Sequence, residues 1–419
     1  MKVVLMLALR SLYNRRLTAI MTVISISVSV ALLLGVEKIR TEAKSSFSST
    51  ISGTDLIVGA RSGSVQLLLY SVFRIGNATN NISWQSYQEI ASQPKVEWTI
   101  PMVLGDSHRG YRVLGTTADY FKHYRYGRKH TLAFRDGQPF EALHDVVLGA
   151  EVAKQLNYQL GQKVVISHGT GTTSFSKHED QPFTVVGILE PTGTPLDRTL
   201  HVSLAAIEAI HIDWQSGSYI PGSGGTTPVS ERKLEPKQIT AILVGLKSKM
   251  STFQLQRSIN NYRKEALQAI LPGVALQELW SMLGIVESTL LIISGFVVAT
   301  GLFGMLTALL TSLNERRREM AILRAVGARP WQVCLLLVLE TGGLTLSGIL
   351  LSLIFLYGGL AISIPFIENH FGLFLELSLP GLYELKLLSL VFITGLLCGL
   401  LPGYGAYRYS LADGMTVRL

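Results

Sequence analysis

The sequence predicts a membrane protein with four transmembrane α-helices and a large α+β extracytoplasmic domain inserted between helices 1 and 2. Three observations predict it. Of 419 residues, 48% are apolar and only 16% charged, a balance too apolar for an ordinary soluble enzyme. The apolar residues gather in four runs, about 17–36, 282–312, 332–364 and 387–404, each near or above the ~20 residues that span a hydrocarbon core. Between the first two lies a stretch, 37–281, long enough to bury a core of its own.

Each element follows in order. Residues 1–16 place Val4, Leu5, Ala8, Leu9 and Leu12 on one helical face, as a helix lying in the membrane interface requires. The run at 17–36 has basic residues before it but no Ala-x-Ala cleavage pattern, so it reads as a retained anchor rather than a signal peptide. From 41 to 75, short apolar runs such as LIVGA and VQLLLYSVF are expected where a helix gives way to strands. Residues 96–118 and 145–210 alternate strand-like runs (VVLGA, KVVIS, FTVVGIL, TLHVSL) with short helices at 150–157 and 203–210. QSGSYIPGSGGTTPVS, 215–230, is rich in Gly, Ser and Pro and reads as an exposed loop. A strand at 239–246 and a helix over about 251–270 lead back to the second span. A cytoplasmic segment, 313–331, separates the second span from the third, a short outer loop, 365–386, separates the third from the fourth, and 405–419 form a tail.

Charge orients these spans, because Lys and Arg near membrane ends favour the cytoplasm. Lys2, Arg10, Arg15 and Arg16 precede the first span, five arginines against Glu315 and Glu319 lie in 314–331, and Arg408 and Arg418 against Asp413 follow the last. Together these segments carry a charge equal to the formal +8 of the whole chain. Both termini and the 313–331 segment are therefore expected in the cytoplasm, and 37–281 outside. The basic balance is a topology signal and does not suggest nucleic acid.

Catalytic patterns are few. GTGTTS at 169–174 has glycines but no Lys, so it cannot cradle nucleotide phosphates as a P-loop does; any energy must come from another polypeptide. Ser62 in GARSGS lacks the spacing of a nucleophile elbow. None of the nine histidines stands in HxxxH or HExxH spacing, so a common metal site would need distant segments. Cys334 and Cys398, the only cysteines, fall in apolar spans, leaving the outer domain without a disulfide. The basic, aromatic YFKHYRYGRKH, 120–130, reads as an exposed helix end or a contact for lipid headgroups or a partner. Two acids, Glu287 and Glu340, lie within spans, where charge marks function or a bond to a neighbouring helix. Gly295, Gly301 and Gly304, Gly342, Gly343 and Gly348, and Gly395, Gly399 and Gly403 permit close helix packing, within the chain or in a dimer.

The sharpest feature is NERRREMAILRAVGARPW, 314–331, a charged helix wedged between two spans. It puts Met320, Leu323 and Val326 at helical spacing and meets Gly327 and Pro330 as stop signals. A merely solvated loop needs no such apolar stripe.

These segments resemble the permease subunits of the MacB/FtsX-like group of ABC transporters, the type VII or mechanotransmission transporters. LALRSLYNRRLTAIMTVISISVSVALLLGV is similar to the family's interfacial helix and first span. SGFVVATGLFGMLTALLTSLNERRREMAILRAVGARPWQV is similar to its second span and coupling helix, and LLVLETGGLTLSGILLSLIFLYG to its third span, with the acid at Glu340. VVLGAEVAKQLNYQLGQKVVIS and FTVVGILEPTGTPLDRTLHVSLAAI resemble its periplasmic core subdomain. The chain departs from the family at Gly403, where Ala is usual, in lacking a Pro before its last short helix, and in the 215–230 loop.

The resemblance implies a multi-pass protein of the bacterial inner membrane. It implies a homodimer, or a heterodimer, seated on separate cytoplasmic ABC ATPase subunits that hold the ATP and Mg, with no cofactor in this chain. Glu315, Arg316, Arg317, Arg318, Glu319, Met320, Leu323, Arg324 and Gly327 would form the ATPase-coupling site, the charges at its rim and Met320 and Leu323 packed into a groove. The leading expectation is ATP-driven export of a hydrophobic or amphipathic substrate, handed to a periplasmic adaptor. Lipoprotein release, or regulation of an extracytoplasmic enzyme or sensor, are the alternatives. A stand-alone membrane enzyme is disfavoured, since no acid, base, nucleophile and metal converge.

Overall fold

The computed structural model describes residues 10, 13, 15–127, 129–168, 181–211, 234–315, 317–371 and 379–408. The 215–230 loop, the GTGTTS segment, His178, Arg316 and the last eleven residues lie outside them. The chain divides into two compact units, one holding the membrane spans and the other residues 43–283 together with 366–374.

The outer unit begins within α1 (Arg16–Ser49) and continues through β1 (Leu56–Ala60), α2 (Ser64–Ser71), β2 (Ile82–Ser83), α3 (Trp84–Ala91), β3 (Val96–His108) and β4 (Tyr111–Thr116). Then come α4 (Asp119–His123), β5 (Arg125–Tyr126), β6 (His130–Thr131), β7 (Phe134–Gly137), β8 (Asp145–Leu148) and α5 (Ala150–Gln155). β9 (Lys163–Val164), β10 (Ser167–His168), β11 (Phe183–Leu189), β12 (Thr199–Ser203) and α6 (Leu204–His211) precede β13 (Gln238–Ile239), β14 (Ala241–Leu246), α7 (Thr252–Asn260) and β15 (Leu267–Ile270).

The main sheet runs β15-β1-β14-β3-β4-β12-β8-β11-β7, with β10 on β3 and β9 on β11. Among the described residues, β4–β12 and β8–β11 are the parallel pairs. The two family-like segments meet in it: a Cβ on Gly149 would lie 2.2 Å from the Leu196 carbonyl oxygen. Only glycine lets the strand end approach the TGTPLD turn so closely. That turn is closed by Asp197, whose carboxylate accepts the Gly193 N–H at 2.8 Å and both the N–H and the hydroxyl of Thr192 at 2.9 Å.

Three sequence expectations are corrected. VQLLLYSVF forms the helix α2, not a strand, because Leu67, Leu68 and Tyr70 bury one helical face. The expected helix over 251–270 stops at Asn260; Leu267–Ile270 becomes the sheet-edge strand β15, paired with β1 from Ile57↔Ile270 to Ala60↔Leu267. Apolar residues in that segment fit either period, and the bare flank of β1 decides. The 120–130 segment is not a surface helix end: Tyr120, Phe121 and Tyr124 are buried in the core with Leu132 and Phe140.

The membrane unit contains the apolar part of α1, most of α8 (Pro272–Glu315), then α9 (Arg317–Ala325), α10 (Pro330–Phe371) as far as Pro365, and α11 (Leu382–Arg408). Its four helices are long and apolar enough to cross a membrane at Arg16–Glu42, Pro272–Thr311, Pro330–Ile364 and Leu382–Tyr404. Hydropathy marks shorter runs because it sees only lipid-compatible residues. α1 continues past residue 36 through helical ion pairs, Arg40 with Glu37 at 2.7 Å and Lys38 with Glu42 at 3.3 Å.

Ile26, Val30, Leu34, Leu302, Met305 and Leu344 form the centre of the bundle. Along α11, glycines four residues apart seat side chains of α10. A Cβ on Gly395 would lie 2.3 Å from Thr345 Oγ1, on Gly399 2.2 Å from Thr341 Oγ1, and on Gly403 2.7 Å from Cys334 Sγ. Gly403, the departure from the family's Ala, thus faces the largest atom of the three contacts.

Candidate coupling site

The charged helix is held by its own termini. At its end, Gly327 N–H donates to Arg324 O at 3.1 Å and Ala328 N–H to Leu323 O at 3.0 Å, with Gly327 at φ 105. This Schellman pair satisfies the last carbonyls and needs the left-handed residue that glycine supplies. Three residues later α10 begins. Pro330 opens it, where a missing N–H costs nothing, and the Gln332 side chain reaches back to accept the Arg329 N–H at 2.8 Å. Residues 326–329 therefore make a defined corner between α9 and α10.

Packing sets which face of α9 is inward. Met320 is 8% exposed and packs on Val333 and Leu337 of α10. Leu323 and Arg324 are half-buried, and Glu319, Ile322 and Val326 are exposed, Ile322 by 55% and Val326 by 84%. The sequence stripe thus splits. Met320 is a clip onto this chain's own third span, not a free docking side chain, whereas Val326 turns outward beside Ile322, which the stripe omitted. The apolar side of a short helix normally packs inward; here i, i+3 and i+7 positions 319, 322 and 326 give a second, outward face carrying two large aliphatic residues. Glu315 ends α8, while Arg317 and Arg318 open α9.

The intramembrane acids occupy different surroundings. Glu340 is 2% exposed, next to the fully buried Thr341 and in the same bundle as the buried Thr345 and Ser294. Glu287 lies 3.4 Å from Arg40 Nη1. That arginine also grips the almost fully buried Glu37 with two bonds of 2.7 and 3.0 Å, so one guanidinium joins α1 to α8. Sequence reasoning missed Glu37 and Arg40; their i, i+3 spacing at the end of an apolar run was the available signal.

In the outer unit the histidines serve separate local roles. His108 Nδ1 is 2.6 Å from Val165 O and its Nε2 3.0 Å from the Tyr158 hydroxyl. His211 lies 3.6 Å from buried Asp106, whose carboxylate raises its pKa against the opposing effect of burial. His201 is fully buried, and burial, with the Arg74 charge second, pushes its pKa down to about 3. Among the described residues no three His, Cys, Asp or Glu side chains gather as a metal site would require.

Four spanning helices, an inserted α+β head and a charged helix cornered between the second and third spans define a permease-type membrane protein. Residues 17–262 match the family described as the MacB-like periplasmic core domain, and residues 291–411 match the FtsX-like permease C-terminal family. The chain belongs to the MacB/FtsX-like group, the type VII ABC transporter permeases, and is a multi-pass membrane protein with a large extracellular domain. Among solved structures, the periplasmic region of MacB from Actinobacillus actinomycetemcomitans is 13% identical with a TM-score of 0.33, covering 55% of this chain and 94% of that one. The extracellular domain of the noncanonic ABC-type transporter YknZ from Gram-positive bacteria is 13% identical with a TM-score of 0.30, covering 52% and 99%. A search of curated protein sequences found no match.

Proposed function

We propose that this chain couples ATP hydrolysis on separate cytoplasmic ATPase subunits to movement of its outer domain, and so drives export of a hydrophobic or amphipathic substrate. In this reading both termini and α9 face the cytoplasm, two copies of the chain assemble on two ATPases, and a periplasmic adaptor receives the substrate. ATP and its Mg2+ belong to the ATPase subunits.

One observation carries the reading: outward-facing Ile322 on α9 and Val326 at the residue that caps it, on a helix whose inward side is clipped to α10 by Met320. Two exposed aliphatic side chains on a helix otherwise rich in charge suit a partner groove with a polar rim. The clip matters mechanically. Force on a helix tethered only by loops would be absorbed by the loops, whereas force on α9 passes through Met320 and the 326–329 corner into α10. α8, 44 residues and roughly 66 Å long at 1.5 Å per residue, is long enough to act as a stiff lever leading from the spans to the outer domain. Glu319, Arg324 and the arginines at 316–318 supply charged rim contacts.

The test is co-purification of the ATPase subunit with the detergent-extracted chain. Ile322→Asp with Val326→Asp should release the ATPase while the chain stays folded, because both side chains are already in solvent. Persistent co-purification would show that the docking face is elsewhere. The same preparation, probed for an adaptor, a lipoprotein or a hydrolase, separates export from lipoprotein release and from regulation of an outer enzyme.

A further inference from the structure

Two arginines of the outer domain share one small cavity without an acid between them. Arg74 Nη1 donates to the Ser71 carbonyl and lies 4.0 Å from Met102 Sδ, and its buried Nε has no partner. Arg112 donates to Asn77 Oδ1 at 2.9 Å and to Gly76 O at 3.0 Å. Neither guanidinium meets a carboxylate among the described residues. Both line a cavity of about 10 Å³ together with Tyr70, Gly76, Asn77 and Leu104, room for about one water-sized group.

Placing two like charges in one partly buried site is unfavourable. Burial first, and the charge of Arg74 second, depress the Arg112 pKa. The backbone adds strain: Arg74 stands at φ 60, in the left-handed region that non-glycine residues avoid. Strained backbone and unneutralised charge persist where a ligand repays them. The donors fit one kind of ligand. Asn77 spends its carbonyl oxygen on Arg112, which leaves its amide N–H groups as donors, and guanidinium forks match paired oxygens better than a single sphere.

We propose that this cavity is an oxyanion site, taking the phosphate or carboxylate group of a small soluble molecule. One oxygen enters the cavity between Arg74 and Arg112, and the rest of the group faces the Asn77 amide. The site is independent of the coupling helix and of the transport reading.

The full chain in detergent is titrated with sodium phosphate and with sodium acetate, against sodium chloride at equal ionic strength, while its thermal unfolding is followed. Phosphate or acetate should raise the midpoint by about 2–4 °C as the site saturates, and chloride should not. Arg112→Gln should lose the response. Asn77→Asp, at an exposed position, supplies an internal carboxylate to Arg112; it should raise the midpoint without added anion and abolish the response. An equal effect of chloride would reduce the observation to screening of two arginines and overturn the proposal. So would an Asn77→Asp chain that responds like its parent, a result that stands even if Arg112→Gln fails to fold.

Discussion

Gly399→Ala is the most economical way to test how the spans are held together. The new methyl carbon would stand 2.2 Å from Thr341 Oγ1, 3.0 Å from its Cγ2 and 3.1 Å from its Cβ. Ordinary contact is about 3.5–4.0 Å, so the first overlap exceeds an ångström. Rotating Thr341 does not relieve it, because the obstruction includes both branches and their root, and rotation would also break the bond from Oγ1 to Val338 O. α10 and α11 must separate locally, at a cost of about 1–3 kcal/mol for overpacking. Thr341→Ala removes the two worst contacts and leaves one of 3.1 Å, so the double variant should recover about 1 kcal/mol or more relative to the sum of the singles. The costs should be graded. Gly395→Ala, facing Thr345 in the same way, should match Gly399→Ala, whereas Gly403→Ala meets only Cys334 Sγ, which one side-chain rotation moves aside. The assay is reversible unfolding of the detergent-solubilised chain by SDS titration. Additive singles, or Gly403→Ala as the most damaging of the three, would refute the packing argument.

Other outcomes follow from groups placed by the structure. Gly327→Ala forces an L side chain into φ 105 and should cost about 1–2 kcal/mol, read as weaker co-purification of the ATPase with little change in outer-domain unfolding. Arg40→Gln strands the Glu37 carboxylate, whose side chain is 3% exposed; a cost of about 3 kcal/mol is expected, and Glu37→Gln in the same chain should restore most of it in a thermal melt. His201 gives the outer domain a pH signature. Its folded pKa of about 3 lies below the 6.5 of a solvated histidine, so between those values the unfolded chain binds the proton and the folded chain does not. Its contribution is complete above pH 6.5 and is lost as pH falls towards 3, about 1.4 kcal/mol per unit. His201→Phe should flatten that slope in acid unfolding.

The membrane architecture was legible because the bilayer imposes a single demand, some twenty apolar residues per span, and the sequence meets it four times. The strands FTVVGIL and TLHVSL were legible for a similar reason, since β-branched runs buried on both faces have few other uses. Residues 251–270 were not: whether LQAI is helix or strand depends on β1, more than 200 positions away. The 120–130 segment misled through its charge, because Lys122, Arg125 and Lys129 hid the burial of the aromatic residues between them. At α9 the helix and both of its stop signals could be read in advance, but not which side faced out. Spacing put Met320, Leu323 and Val326 on a stripe; only the position of Val333 and Leu337 after the corner decides that Met320 turns in and leaves Ile322 outside.

The first and last strands of the outer domain's main sheet, β1 and β15, are hydrogen-bonded neighbours from Ile57↔Ile270 to Ala60↔Leu267. A domain whose two ends are stitched side by side is a cassette. Everything between them can lengthen, shrink or be replaced without changing the separation that the scaffold must accommodate. One four-helix scaffold can therefore carry heads of different size, and the place to graft a foreign head onto this chain is that four-residue seam.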